Sequence, residues 1–149
     1  MDGLTIRPAE PRDLGQLAAL ERAAFETDRL SRRALRYSLR AATRRVVVVA
    51  RGRRLLASAV VCVRRNSRHL RLYSLAVDEA ARGLGLGSML LGAVEQIGRG
   101  LGLLSVRLEV RIDNAPAMAL YRRRAYVRFG QYAAFYEDGC DALRLHKKL

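Results

Sequence analysis

Tryptophan is absent from this 149-residue sequence, and cysteine, proline, histidine and lysine are all rare. Two cysteines, Cys62 and Cys140, cannot build a disulfide framework or a metal-ligand cluster, and each reads as an ordinary thiol. No metal site is expected. His69 and His146 fall in no motif with a partner and read as structural or exposed. No apolar run approaches the length that crosses a bilayer. Met1-Asp2-Gly3 does not open an export leader. The expectation is a soluble, cytoplasmic protein without a membrane partner. It should form one domain, residues 1–149, large enough for its own core.

Negative charge is the other scarcity. Fourteen acidic residues face 28 basic ones, giving a formal net charge of +14 and a pI near 11.2. From Arg29 to Val77 there is no aspartate or glutamate, against fourteen arginines. Such a one-signed stretch attracts acidic partners. Nucleic acid, a ribosomal surface or an acidic polypeptide would all fit. So would a solvated basic face without a partner, or an arginine-biased composition. With few aromatics in that half, nucleic acid would be drawn only by generic attraction, without a stacking platform.

Against these absences, the apolar residues are well ordered. Leu4 to Arg7 reads as a short strand. Pro11 and Asp13 open a helix with Leu14, Leu17, Ala18, Leu20, Ala24 and Phe25 on its apolar side. Ser31 is a good N-cap for a second helix to about Ala42. On it Arg32, Arg36 and Arg40 form a cationic stripe opposite Leu35 and Leu39. Val46–Ala50, Leu55–Val63 and Leu70–Val77 read as successive strands. A helix then runs to about Gly100 or Gly102. Leu104–Val110 alternates as a strand, Asn114 caps a helix with Pro116 in its first turn, and strands near Tyr126–Phe129 and Cys140–His146 close the chain. That is a single-domain mixed α/β fold.

One junction points to chemistry. The strand Leu72-Tyr-Ser-Leu-Ala-Val77 runs into Arg82-Gly83-Leu84-Gly85-Leu86-Gly87, and an apolar-periodic segment of Met89, Leu90, Leu91, Val94 and Ile97 follows. Strand, glycine loop and helix N-terminus in that order present free backbone N–H groups to an anion. Glycine allows close approach and positive φ. A dinucleotide fold would place such a loop after its first strand, with an acidic residue about twenty positions on. A P-loop would end in Gly-Lys-Ser/Thr. Neither fits.

Arg82, Gly85 and Gly87 match the Gln/Arg-x-x-Gly-x-Gly/Ala signature of the GNAT superfamily of N-acetyltransferases. Leu108-Glu-Val-Arg-Ile-Asp-Asn-Ala-Pro-Ala-Met-Ala-Leu-Tyr121 is similar to the Leu-Glu-Val-Arg…Asn-x-x-Ala-x-x-Leu-Tyr block of its ribosomal-protein alanine acetyltransferases. Tyr136-Glu-Asp-Gly-Cys-Asp-Ala-Leu143 resembles the ending of that subfamily. The resemblance is good over about residues 70–145 and rests on element order alone before them. It implies a GNAT fold, a mixed central sheet of six to seven strands flanked by four helices, with the glycine-rich loop cradling acyl-CoA. Two departures stand out. Ala125 replaces a helix-ending glycine, and Phe25-Glu-Thr-Asp28 stands where relatives often carry tryptophan.

The resemblance also implies roles. Acetyl-CoA is the donor. Gly83, Leu84, Gly85, Leu86, Gly87 and Ser88 would hold its pyrophosphate, with Arg82 adding charge. Leu75, Ala76 and Val77 would lie beside the pantetheine arm, one N–H polarising the thioester carbonyl. Period-two alternation puts Arg107, Glu109 and Arg111 on one strand face. Glu109 could accept the amine proton, directly or through water, or simply pair with Arg107 or Arg111 on a solvated face. Tyr121, two turns after Asn114, could donate a proton to the leaving thiolate or pack in the core. Asn114 could cap its helix and touch the cofactor. Arg122, Arg123 and Arg124 could meet the 3′-phosphate or form a solvated helix end. Tyr132, Phe135 and Tyr136 could line the acceptor pocket or pack a hairpin. The acceptor expected is a protein or peptide N-terminus, ribosomal or acidic, on a monomeric or homodimeric enzyme. A small-molecule amine, or a non-catalytic acyl-CoA or nucleic-acid module, are the alternatives.

Overall fold

Seven strands and four helices, in the expected order, make up residues 3–149 of the computed structural model, the residues it describes. The expectation that Met1 and Asp2 begin no leader lies outside them. In chain order they are β1 (Leu4–Pro8), α1 (Leu14–Ala24), α2 (Arg32–Arg40), β2 (Arg44–Arg51), β3 (Arg54–Cys62) and β4 (His69–Val77). Then come α3 (Leu86–Gly100), β5 (Ser105–Arg111), α4 (Ala115–Arg123), β6 (Val127–Tyr132) and β7 (Ala142–Lys148). A 3₁₀ turn at Pro11–Asp13 leads into α1. The α2 helix stops at Arg40 because Ala41 turns extended. The α3 helix starts at Leu86, inside the glycine stretch. No described helix is long and apolar enough to cross a membrane.

The strands form one sheet in the order β1-β2-β3-β4-β5-β7-β6, and only β4 and β5 run parallel. Helices cover both faces, which explains the unbroken valine run in β2. Val46 and Val48 join Leu17 of α1 and Leu35 of α2 in one core, while Val47 and Val49 join Leu86, Leu90 and Val94 of α3 in the other. Successive side chains point to opposite faces, so a strand buried on both sides needs no polar alternation.

A β-bulge shapes the sheet centre. Val60 pairs with Ser74 but Val61 pairs with Leu72, so Tyr73 is the extra residue in β4. An extra residue inverts which side chains face which side beyond it. Before the bulge, Leu70 and Leu72 sit in the core under α3; after it, Ala76 joins the core under α1 and Ser74 bonds to Glu21 of α1. The bulge also bends β4 away from β5. The two pair only from His69–Ser105 to Leu72–Leu108, although β4 continues to Val77 and β5 to Arg111. Beyond that point the β5-side edge of β4 has no strand partner among the described residues, and a cleft opens.

The α4 C-terminus explains the Ala125 departure. Tyr126 N–H donates to the Tyr121 carbonyl at 2.9 Å and Ala125 N–H to the Arg122 carbonyl at 3.0 Å. This is the Schellman pattern, whose C′ residue is left-handed and usually glycine. Ala125 holds that place at φ +71°. An L side chain there costs roughly 1–2 kcal/mol, partly offset because alanine restricts the unfolded chain more than glycine does. Ala125→Gly is expected to stabilise the fold by about 1 kcal/mol, read as a higher urea midpoint at unchanged slope.

Candidate active site

The glycine loop follows β4 directly and leaves the α3 N-terminus open. Ser31 caps α2 by accepting from Ala34 N–H, and Asn114 caps α4 by accepting from Ala117 N–H. At α3 the N-cap is Gly85, with no side chain to do this. A helix leaves its first N–H groups without intrahelical partners, so this long helix offers them outward. Gly83 and Gly85 are left-handed at φ +86° and +75°, with open space where a Cβ would stand. Gly87 has a different reason for its size. A Cβ there would lie 2.7 Å from Leu120 Cδ2, so it sets the approach of α4 to α3. Leu86 is buried in the core and could offer only its backbone. Arg82, Gly83 and Leu84 are exposed and Ser88 is half-buried.

The cleft between β4 and β5 contains a cavity of about 140 Å³. Its lining brings together Leu75, Glu109, Asn114, Tyr121 and Tyr136, five of the residues singled out from sequence. Ala76 is buried under α1, and Val77 packs against the α3-side core, so neither side chain enters the cavity. The helical spacing of Asn114 and Tyr121 does place both on the cleft side of α4. Tyr121 is 7% exposed and meets Tyr126 edge-on at 5.7 Å. Burial, with Tyr136 adding to it, pushes the Tyr121 phenol well above its ordinary pKa. It therefore keeps its proton throughout the neutral range.

Glu109 does not pair with Arg107 or Arg111, and its face is not solvated. Its side chain is 7% exposed and accepts a hydrogen bond from Arg71 of β4. Arg111 is occupied by two other carboxylates, Asp113 at 3.0 Å and Asp138 at 2.6 Å. Arg124 is also committed. It donates to buried Glu95 at 2.7 Å, beside Lys147 at 2.9 Å and the Tyr126 hydroxyl at 3.1 Å. This leaves Arg122 and Arg123 exposed at the helix end. His69 has a partner after all, as Nδ1 lies 2.7 Å from Ser105 Oγ.

Sequence reasoning passed over Glu21. It is 2% exposed, lines the same cavity, and has no cation against it among the described residues. Its carboxylate accepts from Leu30 N–H at 2.8 Å and from Ser74 Oγ at 2.5 Å. A signal was present, because positions 14, 17, 21 and 24 fall on one helical stripe and Glu21 interrupts it. Two loops roof the cavity. Glu137 N–H, in the β6–β7 connection, donates to Asp28 Oδ1, in the α1–α2 connection, at 3.2 Å. Tyr136 in this roof stacks edge-on against Phe135, and desolvation and nearby Glu109 push its phenol up to about 12. Tyr132 stacks on Phe135 at 5.4 Å outside the cavity, a hairpin contact.

Burial raises the Glu21 pKa, against the smaller lowering by Ser74 and Leu30. A carboxyl raised in the folded state holds its proton more tightly there than when unfolded. Its stabilising contribution is present while protonated and is lost as pH climbs from the ordinary glutamate value, about 4.3, through the raised one. Urea midpoints of wild type and Glu21→Gln are expected to diverge over that rise, the variant gaining relative to wild type. Parallel curves would show that the two hydrogen bonds compensate burial fully.

Residues 13–126 match the profile of the Acetyltransferase (GNAT) family. An uncharacterized N-acetyltransferase of Methanocaldococcus jannaschii is 37% identical over 78 residues, 52% of this chain and 50% of the relative. The chain thus spans about half the length of that curated relative. Among solved structures, Ard1 from Thermoplasma volcanium superposes with a TM-score of 0.89 at 26% identity, over 99% of this chain and 98% of the other. The ribosomal-protein-S18-alanine N-acetyltransferase from Escherichia coli does so with a TM-score of 0.86 at 24% identity, over 97% and 93%. An open α3 N-terminus at the end of a strand that splits from its parallel neighbour, and this match over most of the length, have one common explanation: the chain belongs to the GNAT family of acetyltransferases.

Proposed function

We propose that this protein transfers acetyl from acetyl-CoA to an amine, and that the amine is the N-terminal α-amino group of a protein or peptide. One observation carries the reading. The split of β4 from β5 puts Glu109 and Tyr121 on one cavity wall, and the strand bounding that cavity ends at the uncapped α3 N-terminus. The donor supplies an acyl group already activated as a thioester. The residues would do the rest.

The N–H groups from Gly83 to Ser88 would bind the pyrophosphate at the positive helix end. The unpaired β4 edge beyond Leu72 would hold the pantetheine arm as a further strand. An N–H near Leu75 would donate to the carbonyl oxygen as charge develops there. Glu109, held in place by Arg71, would accept the amine proton directly or through one water. Tyr121 would donate a hydrogen bond to the departing sulfur. A thiol has a pKa near 8.5 and phenol one near 10, and burial raises Tyr121 further. Complete transfer from Tyr121 is therefore uphill unless the amine proton moves in the same step. Its contribution is a positioned hydrogen bond to the sulfur.

The N-terminal acceptor draws support from the structural neighbours, one of which is named for acetylating an alanine of ribosomal protein S18. The Tyr136 block in the cavity roof adds to it. A thiol-release panel of peptides beginning with Ala, Ser or Met, set against small amines, tests it. Peptides are expected to be turned over and small amines not; the reverse result removes the peptide reading. In that assay Tyr121→Phe should lower kcat by about 10²-fold with little change in the KM for acetyl-CoA. Gly85→Val places a β-branched residue at positive φ in the cradle. It should abolish acetyl-CoA protection against thermal unfolding while the circular dichroism spectrum stays native.

A further inference from the structure

A second cavity, of about 170 Å³, lies on the face of the sheet where β5, β7 and β6 continue past α1 and α2. Arg64, Arg71, Arg107 and Arg144 line it, with His69 and a single carboxylate, Glu109. Burial, with Arg107 and His146 nearby, lowers the His69 pKa, so this imidazole adds no charge. Among the described residues, four guanidiniums thus face one carboxylate. Arg71 sits directly opposite Arg107 in the β4–β5 ladder, and Arg144 opposite Glu109 across β5 and β7. Like charges in cross-strand register destabilise a sheet.

Aromatic rings lie against three of these guanidiniums. Arg107 lies 5.2 Å and Arg144 4.6 Å from the Phe129 centroid, with Arg144 also 4.5 Å from that of Tyr132. Arg71 lies over Tyr73 at 5.3 Å. The Nε groups of Arg71, Arg107 and Arg144, like those of Arg44 and Arg124 elsewhere, are buried without a hydrogen-bond partner among the described residues, and a buried donor left unpaired is costly. A planar fork held against a ring and short of acceptors suits a carboxylate or phosphate.

We infer that this cluster is an oxyanion site that takes the carboxylate of an acidic side chain close behind the acetylated amine of the acceptor. The inference rests on the peptide-acceptor reading above. Glu109 lines both cavities, so a chain whose amine is at Glu109 has its next residues within reach of the arginines, at about 3.5 Å per residue. An acidic residue at the second or third position would supply the missing negative charge.

The test compares peptides Ala-Glu-Glu and Ala-Gln-Gln, each on one neutral tail, with wild type, Arg107→Gln and Arg144→Gln. Wild type is expected to favour the Glu peptide about tenfold or more, through KM rather than kcat. Each variant should bring the ratio towards one. Inorganic phosphate gives a readout free of turnover. It should raise the wild-type melting temperature more than that of the Arg107→Gln, Arg144→Gln double variant. The difference is what counts, because the α3 N-terminus also attracts phosphate. Equal KM for both peptides in wild type overturns the inference, and an oligoribonucleotide that binds wild type but not the double variant would then reassign the site to nucleic acid. Equal phosphate protection of wild type and variant overturns it as well. If phosphate discriminates but no peptide is acetylated, the oxyanion site stands and only the peptide reading falls.

Discussion

Tyr73 is one residue more than the β3–β4 ladder can pair, and most of what is distinctive in this structure follows from that surplus. It inverts the facing of β4, so Ser74 turns to the Glu21 carboxylate and Ala76 enters the α1-side core. It bends β4 off β5 four residue pairs into their ladder. The cleft that results is lined by the free β4 edge, by Glu109 of β5 and by Tyr121 of α4. A regular parallel ladder would have closed over this space. The bulge costs ladder hydrogen bonds, and it turns the Ser74 hydroxyl towards the buried Glu21 carboxylate.

The acidic residues, being few, hold particular positions. Glu95 is buried on α3, where burial pushes its carboxyl up but hydrogen bonds from Lys147 and Arg124 outweigh that and hold it below its ordinary value. With the Tyr126 hydroxyl it ties α3, the end of α4 and β7 together in a buried network that gives both Glu95 oxygens partners. Asp113 and Asp138 bind Arg111 and steady the β6–β7 connection over the cavity. Little negative charge is left for the N-terminal half. Of the fourteen arginines between Arg29 and Val77, only Arg54 and Arg71 have a carboxylate partner among the described residues.

The order of elements and the loop were legible because they rest on local signals, namely glycine density, the Ser31 and Asn114 caps, and period-two or helical spacing. The motif spacing of Glu109, Asn114 and Tyr121 also translated directly into shared walls of one cavity. What was not legible depends on long-range register. A bulge of one residue leaves no mark in Leu72-Tyr-Ser-Leu-Ala-Val77, yet it decides that Ser74, not Tyr73, meets Glu21. The Arg71 partner of Glu109 comes from a strand 38 positions away, whereas alternation along one strand suggested only its own arginines. Helix ends moved by two or three residues where backbone geometry, as at Ala41 and Gly85, overrode the side-chain pattern.

The aromatics show how misleading a linear count can be. Phe129 and Tyr132 lie far in sequence from the acid-free stretch, so that stretch seemed to lack stacking partners. Within the stretch, folding puts Tyr73 beside Arg44 and Arg71, and beyond it Phe129 and Tyr132 meet Arg107 and Arg144. A sheet selected for stability alone would not set Arg71 against Arg107 beside two further arginines and one carboxylate. Where local rules are broken without a structural gain, the compensation is sought in a ligand. Here the broken rule is an excess of guanidinium, the adjoining cavity is built for amine chemistry, and the two share Glu109. An acceptor that carries its own negative charge would relieve the repulsion and bring its amine to the cleft in one binding event.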